Sequence, residues 1–145
     1  MPMAQRSAQC TWKGNAVDGR GVVSGASGGL SDLPVTWASR TERSDGKTSP
    51  EELVAAAHAA CFSMALSHFL TQGGNPPEEL EVTAEVTLDL IDDTPTVTRS
   101  ALTVSGTVPG IDDEEFIKTA TKAGEQCPIS RALQSLEISV SASLG

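Results

Sequence analysis

Ser49 to Leu70 reads SPEELVAAAHAACFSMALSHFL. Ser49 suits a helix N-cap, Pro50 the first helical position, and Glu52 follows Ser49 at capping-box spacing. Glu51 and Glu52 fall at the positive end of the helix dipole. From Leu53 onward apolar residues cover every direction of the helical wheel, and only His58, Ser63, Ser67 and His68 interrupt them. A helix apolar on all sides is expected to be buried. The run approaches the length that spans a bilayer, but two histidines and its weak, alanine-rich hydrophobicity predict a core helix, not a membrane partner. Cys61 sits at its middle.

Strand patterns flank this helix. Ala8 to Lys13 and Gly21 to Ser24 predict two strands joined by a turn rich in Gly, Asn and Asp. Leu33 to Thr41 alternates Val35, Trp37 and Ser39 against Thr36, Ala38 and Arg40, which predicts a third. After a breaker cluster at Gln72 to Pro77, Leu80 to Leu90 alternates cleanly and Thr96 to Val108 is rich in Thr and Val. The two predict a hairpin with a longer loop at Asp92 to Pro95. Asp112 or Asp113 caps a further helix with Phe116, Ile117, Ala120 and Ala123 inward. Cys127-Pro128 interrupts it and opens a short helix to Leu133, and Leu136 to Leu144 is a last strand. The expected fold is α+β, a single domain over residues 1–145, with antiparallel sheets around a long buried central helix.

The bulk numbers narrow the partners. The 145 residues carry a net charge of −9, which argues against nucleic acid and anionic membrane surfaces. Three Phe, two Trp and no Tyr leave the core to aliphatic side chains. Three cysteines do not make a paired secreted framework, and the opening MPMAQRSAQC lacks the apolar stretch of a secretion signal. A cytoplasmic setting is expected, where cysteines more often serve catalysis or metals than structure.

Two cysteines stand out. Cys61, in apolar surroundings, is either a small core residue or a reactive thiol, and reactivity would need a cation beside it, because burial alone raises a thiol's pKa. Cys127 precedes Pro128 at a helix start, where it is either a substitute for a serine cap or a thiolate held by the first amides. His58, Cys61 and His68 share one helix without a paired spacing or a fourth ligand, so no metal and no cofactor are expected. Cys10 lies in a predicted edge strand as a bystander.

The run S-P-E-E-L-x-x-A-A-H-A-A-C-F-S-M-A-L, Ser49 to Leu66, resembles the central helix of the osmotically inducible protein C (OsmC) family. C-P-I-S, Cys127 to Ser130, resembles that family's second cysteine motif, 66 residues beyond the first cysteine. The resemblance covers essentially the whole chain. It implies a thiol peroxidase for organic hydroperoxides, with Cys61 peroxidatic, Cys127 resolving it through an intramolecular disulfide, and an external dithiol, of lipoyl type, as reductant. It places the family's glutamate at Glu51. In the organic hydroperoxide resistance (Ohr) branch the arginine lies in an early turn, and the matching position here is Val17. In the OsmC branch it comes from a later strand, where Arg40 matches. Arg20 and Arg43 are weaker alternatives.

Elementary geometry adds a constraint. Glu51 and Cys61 are ten residues apart, about 15 Å along a helix axis. A carboxylate and an arginine at the helix start serve the middle cysteine more simply in a second chain. A helix without a polar face also wants more covering surface than one small domain supplies. Both considerations predict an intertwined homodimer. Two rival readings keep the same cysteines: a dimeric binder of apolar ligands, and a redox sensor.

Overall fold

The computed structural model describes all residues, Met1–Gly145. The chain divides into two compact units, Met1–Leu53 and Val54–Gly145.

The first unit holds strands β1 (Ala8–Lys13), β2 (Arg20–Gly25) and β3 (Leu33–Val35) in the order β1-β2-β3. The β1–β2 turn is closed by Asn15, whose Oδ1 accepts the backbone N–H groups of Val17 and Asp18. The expected strand from Leu33 to Thr41 is only half right. It stops at Val35, and Trp37–Thr41 forms a short helix, α1. Thr36 ends the strand by capping that helix: its hydroxyl accepts the Ser39 N–H at 3.0 Å, and the Ser39 hydroxyl accepts the Thr36 N–H at 2.9 Å. A reciprocal cap of this kind satisfies donors that a ladder would otherwise need, and it overrides the alternation. Ser39 also donates to the Thr48 carbonyl. The unit buries one apolar side chain, Val35, and leaves Trp12, Val22, Leu30 and Trp37 exposed.

Helix α2 (Pro50–Gln72) begins in the first unit and runs on into the second. Ser49 caps it as expected, accepting the Glu52 N–H at 3.1 Å. Glu52 does not close the capping box. Its carboxylate takes the hydroxyl of Thr48 at 2.6 Å, a stronger donor held closer. By length and composition alone α2 could cross a bilayer. Instead, His58, Phe62, Leu66 and Leu70, spaced by four, form a fully covered stripe. The opposite flank is open in the single chain: Ala56, Ala57 and Ala60 are exposed, and Met64 is 70% exposed. Burial of the central helix is therefore one-sided here.

In the second unit the stripe packs against a sheet of β4 (Glu79–Ile91), β5 (Thr94–Thr107) and β6 (Glu137–Leu144) and against α3 (Asp113–Gln126). Leu102 and Val104 from β5 and Phe116, Ala120 and Ala123 from α3 complete the core. Three expectations are corrected. The β4–β5 hairpin has no longer loop: Ile91 pairs with Thr94, and Asp92 and Asp93 make a two-residue turn at positive φ, 49° and 62°. Aspartate tolerates that conformation, and it matches the twist of the strands. The sheet is not wholly antiparallel, because β6 runs parallel to β5, from Arg99↔Glu137 to Gly106↔Leu144. A parallel neighbour requires a crossover, which α3 and the short α4 (Pro128–Ala132) provide. On α3, Gly124 rather than Ile117 faces inward: Ile117 is 49% exposed, while a Cβ on Gly124 would stand 2.5 Å from Val140.

Phe62 carries much of this core and is fully buried. Phe62→Ala should lower the unfolding free energy by about 3–5 kcal/mol in chemical denaturation. Ile117→Ala, on the exposed face of α3, should change it by about 0.5 kcal/mol or less.

Candidate functional site

The first unit brings Arg40 and Glu51 together. Arg40 follows from the Thr36 cap, which turns the chain into α1, and Glu51 stands in the first turn of α2. Arg40 Nε donates to Glu51 Oε1 at 3.0 Å, and Arg40 Nη2 donates to Oε2 at 2.9 Å. This is a two-pronged ion pair, whose planar fork fixes the guanidinium in direction as well as position. Glu51 is buried, while the Arg40 side chain keeps 28% of its surface exposed. Arg20, Arg43 and Val17, the alternative positions, are all exposed, and neither alternative arginine has an ion-pair partner.

Arg40 also borders a cavity of about 480 Å³ lined by Trp12, Ala16, Val35, Trp37 and Pro50. Its Cζ lies 5.9 Å from the centre of the Trp37 ring, within range of a cation–π attraction. The cavity joins an apolar wall to one fixed positive charge. The sequence alone did not reveal it, because Trp12 and Trp37 read as ordinary strand residues.

The second unit brings the two cysteines together. Cys127 caps α4, accepting the Ser130 N–H at 3.3 Å, and is almost completely buried. Cys61, on α2, packs against the core cluster that contains Cys127. Both are free thiols, as is the exposed Cys10. Burial pushes the Cys61 thiol above its ordinary range; a backbone hydrogen bond from Ile129 pulls the other way, and the neighbouring Cys127 pushes it up again. Nothing cationic counts among these influences. The surroundings of Cys61 within the single chain thus favour the thiol over the thiolate.

Beneath the cysteines lies a polar line through the core. His58 Nδ1 is 2.6 Å from Ser100 Oγ, His58 Nε2 is 2.8 Å from Ser130 Oγ, and Ser130 Oγ is 3.0 Å from Cys127 Sγ. Burial holds His58 below its ordinary value of 6.5, so the ring is neutral at neutral pH. Ser100 and Ser130 carried no assignment from the sequence. Ser100 is one of many Ser and Thr residues in β5, and only the fold sets it against α2. Ser130 stood three residues after Cys127, a spacing that fits a hydroxyl turned back to the cap. His68, by contrast, is exposed and lies against the Phe69 ring.

Comparison with known proteins places the chain in a family. A model of the OsmC-like protein family matches residues 43–142. The Peroxiredoxin OsmC of Escherichia coli strain K12 is 43% identical over 129 residues, covering 89% of this chain and 90% of that protein. The Organic hydroperoxide resistance protein OhrA of Bacillus subtilis strain 168 is 32% identical over 101 residues, 70% of each chain. Among solved structures, the organic hydroperoxide resistance protein OhrB of Bacillus subtilis superposes with a TM-score of 0.72 at 26% identity, covering 96% of this chain and 98% of that one. With the two cysteine motifs, the α+β architecture and the match across most of its length in agreement, the chain belongs to the OsmC-like protein family.

Proposed function

We propose that the protein is a thiol peroxidase that reduces organic hydroperoxides, and hydrogen peroxide more weakly. The observation that carries this reading is the pair of free thiols, Cys61 on α2 and Cys127 at the head of α4, packed beside each other in one core. The names of its relatives, a peroxiredoxin and organic hydroperoxide resistance proteins, point the same way.

The chemistry follows from the residues. The Cys61 thiolate attacks one peroxide oxygen; an S–O bond forms, the O–O bond breaks, and the alkoxide takes a proton and leaves as an alcohol. Cys127 then attacks the sulfur of the Cys61 sulfenic acid, giving a disulfide and water. An external dithiol, of lipoyl type in our reading, restores both thiols in the cytoplasm.

Cys61 needs a cation, and its own surroundings raise its pKa. We assign Arg40, oriented by Glu51, to the Cys61 of a second protomer. Three features support an intertwined dimer. Glu51 and Cys61 stand ten residues apart on α2, about 15 Å along its axis. The flank of α2 at Ala56, Ala57, Ala60 and Met64 is apolar and exposed. The first unit, with Val35 as its one buried apolar side chain, lacks a core of its own. The tryptophan-lined cavity beside Arg40 would then seat the alkyl group, where a small polar peroxide gains little.

Turnover of an alkyl hydroperoxide with a dithiol tests the reading. Cys61→Ser should abolish turnover, and neither Cys61→Ser nor Cys127→Ser should form the intramolecular disulfide. Cys61→Ser protein that still consumes peroxide would refute it, and retained binding of an apolar ligand without any peroxide consumption in the wild type would favour a carrier instead. The shared site is tested by sedimentation and by mixing. Cys61→Ser and Arg40→Ala chains, refolded together, should regain about a quarter of wild-type activity, since half the dimers would carry one intact site; no recovery would place both groups in one chain. Arg40→Ala should also move the pH profile of Cys61 oxidation upward by about 1–3 units, because losing the cation disfavours the thiolate.

A further inference from the structure

Ser100, His58, Ser130 and Cys127 form one unbroken line of polar contacts in an otherwise apolar core. The separations are 2.6 Å, 2.8 Å and 3.0 Å, and the four residues are 0%, 0%, 3% and 1% exposed. Satisfying a buried imidazole requires only the two serine hydroxyls. The third contact, from Ser130 Oγ to the Cys127 sulfur, is not needed for that purpose. A hydroxyl both donates and accepts, so the line can run in either direction. In one polarity the Cys127 thiol donates to Ser130, which donates to His58 Nε2. In the other the imidazole donates to Ser130, which donates to a Cys127 thiolate.

We propose that Ser130 and His58 are the proton acceptor that activates Cys127 for disulfide formation, with Ser130 in contact with the reacting sulfur and His58 acting through it as a positioning residue. This rests on the peroxidase reading above. The Cys127 S–H proton passes to Ser130 Oγ as the Ser130 proton passes to His58 Nε2, while Nδ1–H donates to Ser100 Oγ. The resulting thiolate attacks the sulfur of the Cys61 sulfenic acid. The S–S bond forms and the S–O bond breaks. The departing hydroxide takes a proton back through Ser130 and leaves as water, and His58 returns to its neutral state. Cys127 is oxidised, the Cys61 sulfur is reduced, and no outside reagent enters. A neutral ring is the form that can accept a proton, and because burial disfavours the imidazolium the proton is held only until the departing hydroxide takes it back.

Single-turnover kinetics separate the two steps. Reduced protein is mixed with one equivalent of an alkyl hydroperoxide, the sulfenic acid is trapped with a 1,3-diketone, and the disulfide is followed by mass spectrometry. Ser130→Ala and His58→Gln should slow the disulfide step about 100-fold, the lower end of general-base effects, so that trapped sulfenic acid accumulates. Ser130→Thr, which keeps the hydroxyl, should restore most of the rate. In Ser130→Ala the disulfide rate should climb more steeply with pH than in the wild type, because solvent hydroxide must then take the proton that the relay would have taken, which loss of packing alone would not produce. Folded Ser130→Ala protein that forms the disulfide at the wild-type rate would overturn the relay while leaving the peroxidase reading intact. Wild-type protein that forms no sulfenic acid and no Cys61–Cys127 disulfide would overturn both.

Discussion

Everything in this molecule has to accommodate one constraint: α2 has no polar face. Its chain covers the stripe of His58, Phe62, Leu66 and Leu70 with β5 and α3, and leaves Ala56, Ala57, Ala60 and Met64 in contact with solvent. A row of alanines is a poor surface to leave wet but a good one to pack against, since small side chains let a second backbone come close. The first unit has the complementary shortage. It displays Trp12, Val22 and Trp37 and buries only Val35. Apolar area of this kind stabilises a structure by about 25 cal/mol per Å² once removed from water, and the dimer proposed above would cover both surfaces.

The same one-sidedness shapes the thiol chemistry. A core position protects Cys61 and sets it beside Cys127, but desolvation works against its reactive form. A cation offsets that only if it is held in place. The Glu51 fork holds Arg40 at 3.0 Å and 2.9 Å, with the arginine side chain only partly covered. Glutamate also keeps the arginine from carrying an unpaired charge in a half-buried place, which would be costly.

Periodicity made most of the fold legible. The capped start of α2, the strand patterns of β1, β4 and β6 and the Asp112 cap of α3 are local signals, and the structure keeps them. Failures came where a side-chain hydrogen bond or a distant partner decided the outcome. Thr36 and Ser39 exchange hydrogen bonds and turn an alternating stretch into α1. Asp92 and Asp93 adopt positive φ, which alternation cannot report. The direction of β6 depends on how α3 and α4 cross back, a matter of topology rather than composition. The resemblance singled out the residues that the fold joins as the Arg40–Glu51 ion pair and those it packs together as Cys61 and Cys127, whereas the tryptophan cavity and the serines around His58 gave no sign in the sequence. Those depend on residues that become neighbours only on folding.

His58 shows what such neighbours change. On the sequence it is an interruption in an apolar helix, without the spacing of a metal ligand. In the fold it belongs to the buried stripe, and every buried polar atom around it is paired. Putting leucine there would fill the space, but it would leave Ser100 and Ser130 without their partner, at a cost of about 1–3 kcal/mol for each unsatisfied group. A polar chain inside an apolar core is hard to justify by stability alone, because an all-apolar alternative of the same shape serves nearly as well. This chain ties α2 to β5 and to the head of α4, and it ends on a sulfur. The sulfur at its end already caps α4 by accepting the Ser130 N–H, and a line that moves a proton must likewise end on the atom that gives it up.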